Sequence, residues 1–281
     1  MKTNHLKSLG ARFLIAAPLT ALALATLTHA ASPTAEPKPT IVLVHGAFAE
    51  SSSWNPVVTR LLAEGYPVVA AANPLRSLRG DAEFVGSIFQ SIKGPVVAVG
   101  HSYAGSVVTD AASGKPNVKA LVYVAAFAPE PGESAGDLSG RFPGSTLAPT
   151  LAPPVLLGGG GKDLYIQQDK FHAQFAADVP AAEAKLMAAT QRPITDTALH
   201  EPAASASWKT IPSWFIFGSL DKNIPEAAHR FMAERAKAKE TVDVKDASHV
   251  VMVSHPDAVV ALIKKAAASA TSEAEVKTTA R

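Results

Sequence analysis

The chain has 281 residues, 47% of them hydrophobic, and it contains no cysteine, which excludes disulfide bonds and thiolate metal sites. Its formal net charge is +2, but the first 30 residues hold three of the 26 basic residues and none of the 24 acidic ones. The remaining 23 basic and 24 acidic residues leave a net charge of −1. Because no basic cluster occurs elsewhere, this balance indicates no nucleic-acid partner.

The N-terminus has the pattern of a secretory signal peptide over residues 1–30. Three basic residues precede an apolar run over residues 13–27, and Thr28 and Ala30 supply small side chains at the −3 and −1 positions of a cleavage site. The alternative is a membrane anchor, but the run is shorter than the roughly 20 residues that span a bilayer. We expect cleavage after Ala30, export to the periplasm or the medium, no stable membrane anchor afterwards, and a short leader over 31–39.

Six apolar segments of strand length follow in chain order, with helical patterns between most of them. The strand-like segments cover 41–46, 67–71, 95–100, 119–127, 213–218 and 241–244. The helical patterns cover 55–64, 81–92, 104–113, 226–238 and 256–268. This alternation predicts an α/β fold: one domain over 40–268, with a mainly parallel sheet of about six strands flanked by helices. Residues 269–281 are predicted to be a disordered tail.

An insertion over about 129–210 interrupts this alternation before the next-to-last strand. It is rich in proline and glycine at first and then turns helical, which favours a lid over a second domain. Four glycines at 158–161 precede Lys162, but Asp163 stands where a phosphate-binding loop needs Ser or Thr. We therefore interpret this glycine run as a turn.

Ser102 is the candidate nucleophile, in the segment GHSYAG between a predicted strand and a predicted helix. The motif of a nucleophile elbow has glycine two residues before and two residues after the serine. Gly100 satisfies the first position, and Ala104 nearly satisfies the second because small size is what the close approach of strand and helix requires. The alternative is an ordinary helix N-cap serine.

His249 and Asp221 are the candidate base and acid, because each follows one of the last two predicted strands. A serine hydroxyl needs a base to take its proton and a carboxylate to orient that base. The chain order of nucleophile, acid and base fits this arrangement. His255 competes as the base, although its sequence context is that of a helix start. The alternative acids are Asp246, Glu130 and Glu133.

Backbone N–H groups are the expected donors to the oxyanion that develops during acyl transfer. One follows the nucleophile, at Tyr103, and the other follows the first strand, at Ala47. No spacing of His, Asp or Glu resembles a metal site, and no dinucleotide fingerprint occurs, so we expect no metal and no cofactor.

With these residues in place, the chain resembles the α/β-hydrolase superfamily. Within it, the chain is similar to the branch of plant methyl-ester esterases and hydroxynitrile lyases, together with small bacterial esterase-like hydrolases. The resemblance runs from about Thr40 to Ala267. It rests on the segments VLVHGAF, GHSYAG, AFAPEPGES, QRP, IPSWFIFGSLDKNIP and ASHVVMVSHPDAV. The resemblance implies an α/β-hydrolase fold and a Ser-His-Asp triad. It also implies that Ala104 is tolerated, because the bacterial relatives accept Ala or Gly there.

Two positions bear on the activity that the resemblance implies. The lyases of this branch carry threonine where Gly46 stands, and lysine directly after the catalytic histidine, where this chain has Val250. Both residues here are of the esterase type, which favours ester hydrolysis over cyanohydrin cleavage.

The leading hypothesis is a serine hydrolase that cleaves small carboxylic esters or lactones through an acyl-enzyme. Aromatic residues predicted to contribute to substrate binding are Phe48, Phe127 and Trp208, each with core packing as the alternative. Two other functions stay open at this point. One is a cofactor-free haloperoxidase-like perhydrolase with the same triad, and the other is a binding protein on a hydrolase scaffold.

Overall fold

The structure, a computed structural model, describes residues 38–279. The predicted signal peptide and all but the last two residues of the predicted leader lie outside the described residues, so export stays a prediction. Within residues 38–279, no helix combines the length and the apolar character that a membrane span requires.

The main sheet has six strands, and every neighbouring pair in it is parallel. Among residues 38–279 the strands in chain order are β1 (Thr40–Val44), β2 (Val68–Ala71), β3 (Val96–His101), β4 (Val118–Val124), β5 (Val155–Leu156), β6 (Lys162–Leu164), β7 (Ile194–Thr195), β8 (Ser213–Gly218) and β9 (Glu240–Val244). The order across the sheet is β2-β1-β3-β4-β8-β9. The predicted α/β-hydrolase fold is confirmed.

The α-helices of the described residues are α1 (Asn55–Ala63), α2 (Leu78–Ser91), α3 (Ala104–Ala111), α4 (Ala135–Arg141), α5 (Gln168–Phe175), α6 (Ala181–Thr190), α7 (Asp196–His200), α8 (Glu226–Arg235), α9 (Val251–Ser254) and α10 (Pro256–Thr279). Some of the helices flank the main sheet, whereas α4 to α7 lie within the lid, residues 129–210. Helix α1 packs on α10, and α2 packs on α3. Both pairs contact the sheet, so strands β1, β3 and β4 are covered and almost wholly buried. Continuous apolar strands are typical of such a two-sided environment.

The lid, residues 129–210, has a short sheet of its own that the sequence patterns did not indicate. Strands β5, β6 and β7 pair antiparallel in this order. The predicted glycine turn connects β5 to β6, and Gly160 and Gly161 have φ of 87° and 91° there. Strands of two or three residues are too short to produce an alternating pattern, which explains why sequence reasoning missed them.

The C-terminal segment differs from its prediction. Helix α10 continues through Thr279, so residues 269–279 are helical rather than without secondary structure. No glycine or proline follows Pro256 in the sequence, so a helix that begins there meets neither of the two residues that most strongly end helices.

Candidate active site

Ser102 lies in a sharp turn between β3 and α3, at the carboxyl end of a central strand. Its φ of 56° is in the left-handed region, which a serine adopts only at a cost of about 1 kcal/mol or more. Its N–H donates to Val124 O, and its carbonyl accepts from the N–H groups of Gly105 and Phe127. These three hydrogen bonds hold the strained residue in place.

The glycines around Ser102 explain how its motif departs from the usual one. A Cβ on Gly100 would lie 2.6 Å from Ala104 O, so strand and helix meet there without room for a side chain. Ala104 itself is fully buried, and its methyl group is accommodated. A Cβ on Gly105 would lie 2.2 Å from Phe127 O. The second glycine of GHSYAG is therefore needed at position 105, one residue after the position in the usual motif, because α3 passes close to the loop after β4 there.

The structure brings the three predicted triad side chains together. Ser102 Oγ lies 2.9 Å from His249 Nε2, and His249 Nδ1 lies 2.7 Å from Asp221 Oδ2. His249 follows β9 and Asp221 follows β8, so the three residues come from three strand ends separated by up to 147 positions. Hydroxyl, imidazole and carboxylate in this order can move a proton away from the serine.

Asp221 is buried and its carboxylate accepts four hydrogen bonds. Oδ1 accepts from the N–H groups of Asn223 and Ile224 at 2.8 and 3.0 Å. Oδ2 accepts from His249 Nδ1 at 2.7 Å and from His229 Nε2 at 3.1 Å. Burial alone would raise the pKa of Asp221, but the attraction of His249 and these hydrogen bonds outweigh it, and the pKa lies well below its usual value. Asp221 therefore stays ionised.

A second buried histidine holds the loop that carries His249. The ring centroid of His101 lies 4.8 Å from that of His249, and His101 Nε2 donates to the His249 carbonyl oxygen at 3.2 Å. Burial places the pKa of His101 well below its usual value, so the ring is neutral. Phe175 of α5 also packs on His249, with ring centroids 5.0 Å apart. Both rings restrict the orientation of His249.

The predicted oxyanion donors lie on two adjacent loops. A Cβ on Gly46 would lie 2.7 Å from Ser102 Cβ and 3.1 Å from Tyr103 N, so the loop after β1 passes directly beside the serine turn. Within residues 38–279, the N–H groups of Ala47 and Tyr103 have no hydrogen-bond acceptor. The next N–H, of Phe48, donates to Arg192 O of the lid at 3.0 Å. Two free donors beside Ser102 suit a developing oxyanion.

A cavity of about 540 Å³ opens in front of Ser102, between the sheet and the lid. Five of the predicted site residues line it: Ala47, Phe48, Ser102, Tyr103 and Phe127. Most of the remaining wall comes from the lid and is apolar, with Phe142, Leu147, Leu151, Leu164 and Leu199. The polar side chains in the wall include Ser139, Asp196, His200 and Asn223.

The structure does not support the prediction that Trp208 binds substrate, because this residue does not line the cavity. It is buried, and its Nε1 donates to Pro129 O at 2.9 Å. The guanidinium of Arg235 lies 5.4 Å from its ring. Trp208 therefore holds the two ends of the lid together near the sheet. This is the packing role that the sequence analysis gave as the alternative to substrate binding.

The competing acids and base lie elsewhere. Glu130 pairs with Lys209, Glu133 pairs with two arginines, and Asp246 is exposed in a turn. His255 directly precedes α10, and its Nδ1 lies 3.5 Å from Asp178 of the lid. No group of three or more His, Asp or Glu side chains within the described residues is arranged to hold a metal ion.

Sequence reasoning missed several residues of the site. His101 and His229 lie on a strand and a helix where single histidines carry no pattern, so neither could be distinguished from a structural residue. The apolar wall from the lid was missed because the lid has little periodicity. Only Phe142 among the lid residues that form this wall could be suspected, from its aromatic ring.

The fold and the site together define a hydrolase, and the chain belongs to the alpha/beta hydrolase family, whose profile matches residues 41–262. The chain is 26% identical over 253 residues to the alpha/beta hydrolase nvfD of Aspergillus novofumigatus. This alignment covers 83% of this chain and 98% of that protein. It is 29% identical over 242 residues to the probable hydrolase R7 of a Phoma species. This second alignment covers 78% of this chain and 94% of that protein.

Among solved structures, polyneuridine aldehyde esterase is similar in fold. Its TM-score is 0.68 at 19% identity, over 81% of this chain and 98% of that one. A methylesterase from Arabidopsis, MES16, has a TM-score of 0.65 at 18% identity, over 81% of this chain and 98% of that one. At these identities the likeness shows the fold alone.

Proposed function

We propose that the protein is a serine hydrolase that cleaves uncharged carboxylic esters through an acyl-enzyme. The observation that carries this proposal is the chain of hydrogen bonds from Ser102 Oγ through His249 to Asp221, with distances of 2.9 and 2.7 Å. Two unpaired N–H groups beside the serine and an apolar cavity in front of it supply the other parts that acyl transfer needs.

The first half of the reaction forms the acyl-enzyme. Ser102 Oγ attacks the ester carbonyl carbon while His249 Nε2 takes the hydroxyl proton, and Asp221 stabilises the resulting imidazolium. The carbonyl oxygen becomes an oxyanion that accepts from the N–H groups of Ala47 and Tyr103. When the intermediate collapses, the bond to the alcohol oxygen breaks, and His249 delivers its proton to that oxygen.

The second half reverses the roles with water. His249 Nε2 takes a proton from a water molecule, whose oxygen attacks the acyl carbon. The bond from this carbon to Ser102 Oγ then breaks, and the proton on His249 returns to the serine. The acid leaves and the site is restored.

The composition of the cavity supports the limit to uncharged esters. No Lys or Arg occurs among the described residues that line it, so the cavity offers no permanently charged cation to a second carboxylate on the substrate. The large apolar side chains in its wall include four leucines and three phenylalanines, which favour an apolar acyl or alcohol group.

Two local features favour ester hydrolysis over cyanohydrin cleavage, in line with the family resemblance. A Cβ at Gly46 would lie 2.6 Å from His101 O and 2.7 Å from Ser102 Cβ, so the threonine of the lyases does not fit this backbone. Val250, at the position of the lyases' lysine, is fully buried. No cation therefore follows His249 to hold a cyanide.

The test is labelling of the protein with a fluorophosphonate probe, together with turnover of p-nitrophenyl butyrate. We expect Ser102→Ala to abolish both, and His249→Ala to reduce both by about 10⁴-fold or more. Ser106→Ala is the matched control: this serine is also buried, lies four residues on, and its Oγ has no hydrogen-bond partner within the described residues. It should leave labelling and turnover unchanged.

Labelling that survives in Ser102→Ala would contradict the proposed nucleophile. Absence of both labelling and turnover in the unaltered protein, with binding of an ester by calorimetry, would favour the binding-protein alternative instead.

A further inference from the structure

We propose that His229, a buried histidine outside the predicted triad, is a positioning residue that donates a hydrogen bond to Asp221 and thereby extends the reaction to lower pH. This inference rests on the proposed function, because it concerns the Asp221–His249 pair of that reaction.

The geometry assigns His229 to the triad carboxylate. Its Nε2 lies 3.1 Å from Asp221 Oδ2, the same oxygen that accepts from His249 Nδ1. The side chains of His229 and Asp221 are 1% and 0% exposed, so no solvent competes for this contact. The His229 ring is stacked on Phe217 of β8, with centroids 4.7 Å apart and planes at 7°. The stack and helix α8 fix the direction in which Nε2 points.

The protonation of His229 follows from its surroundings. A carboxylate can only accept, so Nε2 must carry a proton. Burial lowers the pKa of His229, which makes the ring a neutral donor rather than a cation. The charged or titratable groups that act on it are Asp221, His249 and Asp243, and Asp243 is itself paired with Arg230 at 2.6 Å. The nearest full charge to Nε2 is therefore the triad carboxylate.

A neutral hydrogen-bond donor to Asp221 Oδ2 changes the acidic limb of the pH dependence of the reaction. Each hydrogen bond to the ionised form of a carboxylate lowers its pKa, and burial raises it. Without His229, Asp221 Oδ2 would keep one donor in a site from which water is excluded. The carboxylate would then carry a less dispersed negative charge and would stabilise an added proton at this end of the triad more strongly, so we expect the acidic limb of the reaction to move to higher pH.

Two substitutions separate the donor from the packing. His229→Phe keeps a ring that can stack on Phe217 but has no N–H, whereas His229→Gln keeps an amide N–H near the position of Nε2 and loses the ring. We measure kcat/KM for p-nitrophenyl butyrate against pH, with melting temperatures as a check on folding. The acidic limb of His229→Phe should move to higher pH by about 0.5 unit or more, while that of His229→Gln should coincide with the unaltered protein.

An unchanged acidic limb in His229→Phe, or an equal shift in both variants, would overturn the inference and leave His229 a packing residue. A second measurement does not depend on folding of the variants or on turnover: ¹⁵N NMR of the histidine rings in the unaltered protein. We expect a neutral His229 with its proton on Nε2, and a proton on Nδ1 alone or a cationic ring would overturn the proposal. Absence of ester turnover would instead count against the proposed function, and the NMR result would still decide the role of His229.

Discussion

The turns around Ser102 and the lid differ in how much room their backbones have. Near the site, an added Cβ on Gly100, Gly105 or Gly218 would lie between 2.2 and 2.6 Å from a neighbouring backbone oxygen. In the lid, a Cβ on any of the four glycines at 158–161 would meet nothing within 4 Å. One region is packed backbone against backbone, and the other includes an open hairpin.

This difference matters because the two regions do different work. Acyl transfer needs serine, histidine and oxyanion donors within hydrogen-bond reach of one another, and close backbone packing around the elbow provides that precision. The lid supplies most of the cavity wall but none of the proposed reacting groups. Changes near the elbow should therefore affect catalysis and folding, and changes in the lid should affect stability or substrate preference.

The largest expected effect compares two buried aspartates. Asp221→Asn should lower kcat/KM by about 10⁴-fold, because an amide cannot hold His249 in the tautomer that accepts the serine proton. Asp163 of the lid is also buried and pairs with Arg76 at 2.7 Å. Asp163→Asn should weaken the lid and leave kcat/KM within a few-fold. Steady-state kinetics on both variants checks this, and equal losses of activity would remove the distinction between the two regions.

The next effect compares two glycines. Gly105→Ala should lower the free energy of unfolding by about 3 kcal/mol, because its Cβ would lie 2.2 Å from Phe127 O and force α3 away from the loop after β4. Gly159→Ala adds the same methyl group where nothing lies within 4 Å, and its expected effect is within about 0.5 kcal/mol. Urea unfolding measures both, and a Gly105→Ala protein as stable as the Gly159→Ala protein would contradict the close packing.

The smallest effect separates an aromatic residue of the cavity wall from one that only anchors the lid. Trp208→Phe should reduce stability by about 1 kcal/mol through loss of the hydrogen bond to Pro129 O, with kcat/KM unchanged. Phe142→Ala should raise KM for long acyl esters, because the ring lines the cavity. Kinetics on acetyl and octanoyl esters with thermal melts tests the pair. A higher KM in Trp208→Phe would restore the original prediction for that residue.

Much of the fold and the candidate site could be predicted from the sequence. Strand β8 was predicted with the bounds the structure has, and Ser102, Asp221 and His249 were selected because each follows a strand. Parallel sheets make such reasoning possible, since all their strands end at the same edge. The prediction for Trp208 found no support in the cavity, because the sequence of a lid does not show whether an aromatic ring faces a cavity or the core.

The sequence by itself determined the succession of the main-sheet strands and their flanking helices along the chain, the place of the nucleophile turn and the chain order of the triad. These features depend on local patterns, apolar runs and small residues next to one serine. Only the tertiary structure decided that Gly105 must face Phe127, that His229 and His249 share one oxygen of Asp221, and that the lid forms an apolar wall. Such contacts join residues far apart in the chain, and their geometry arises only when separate elements pack against one another.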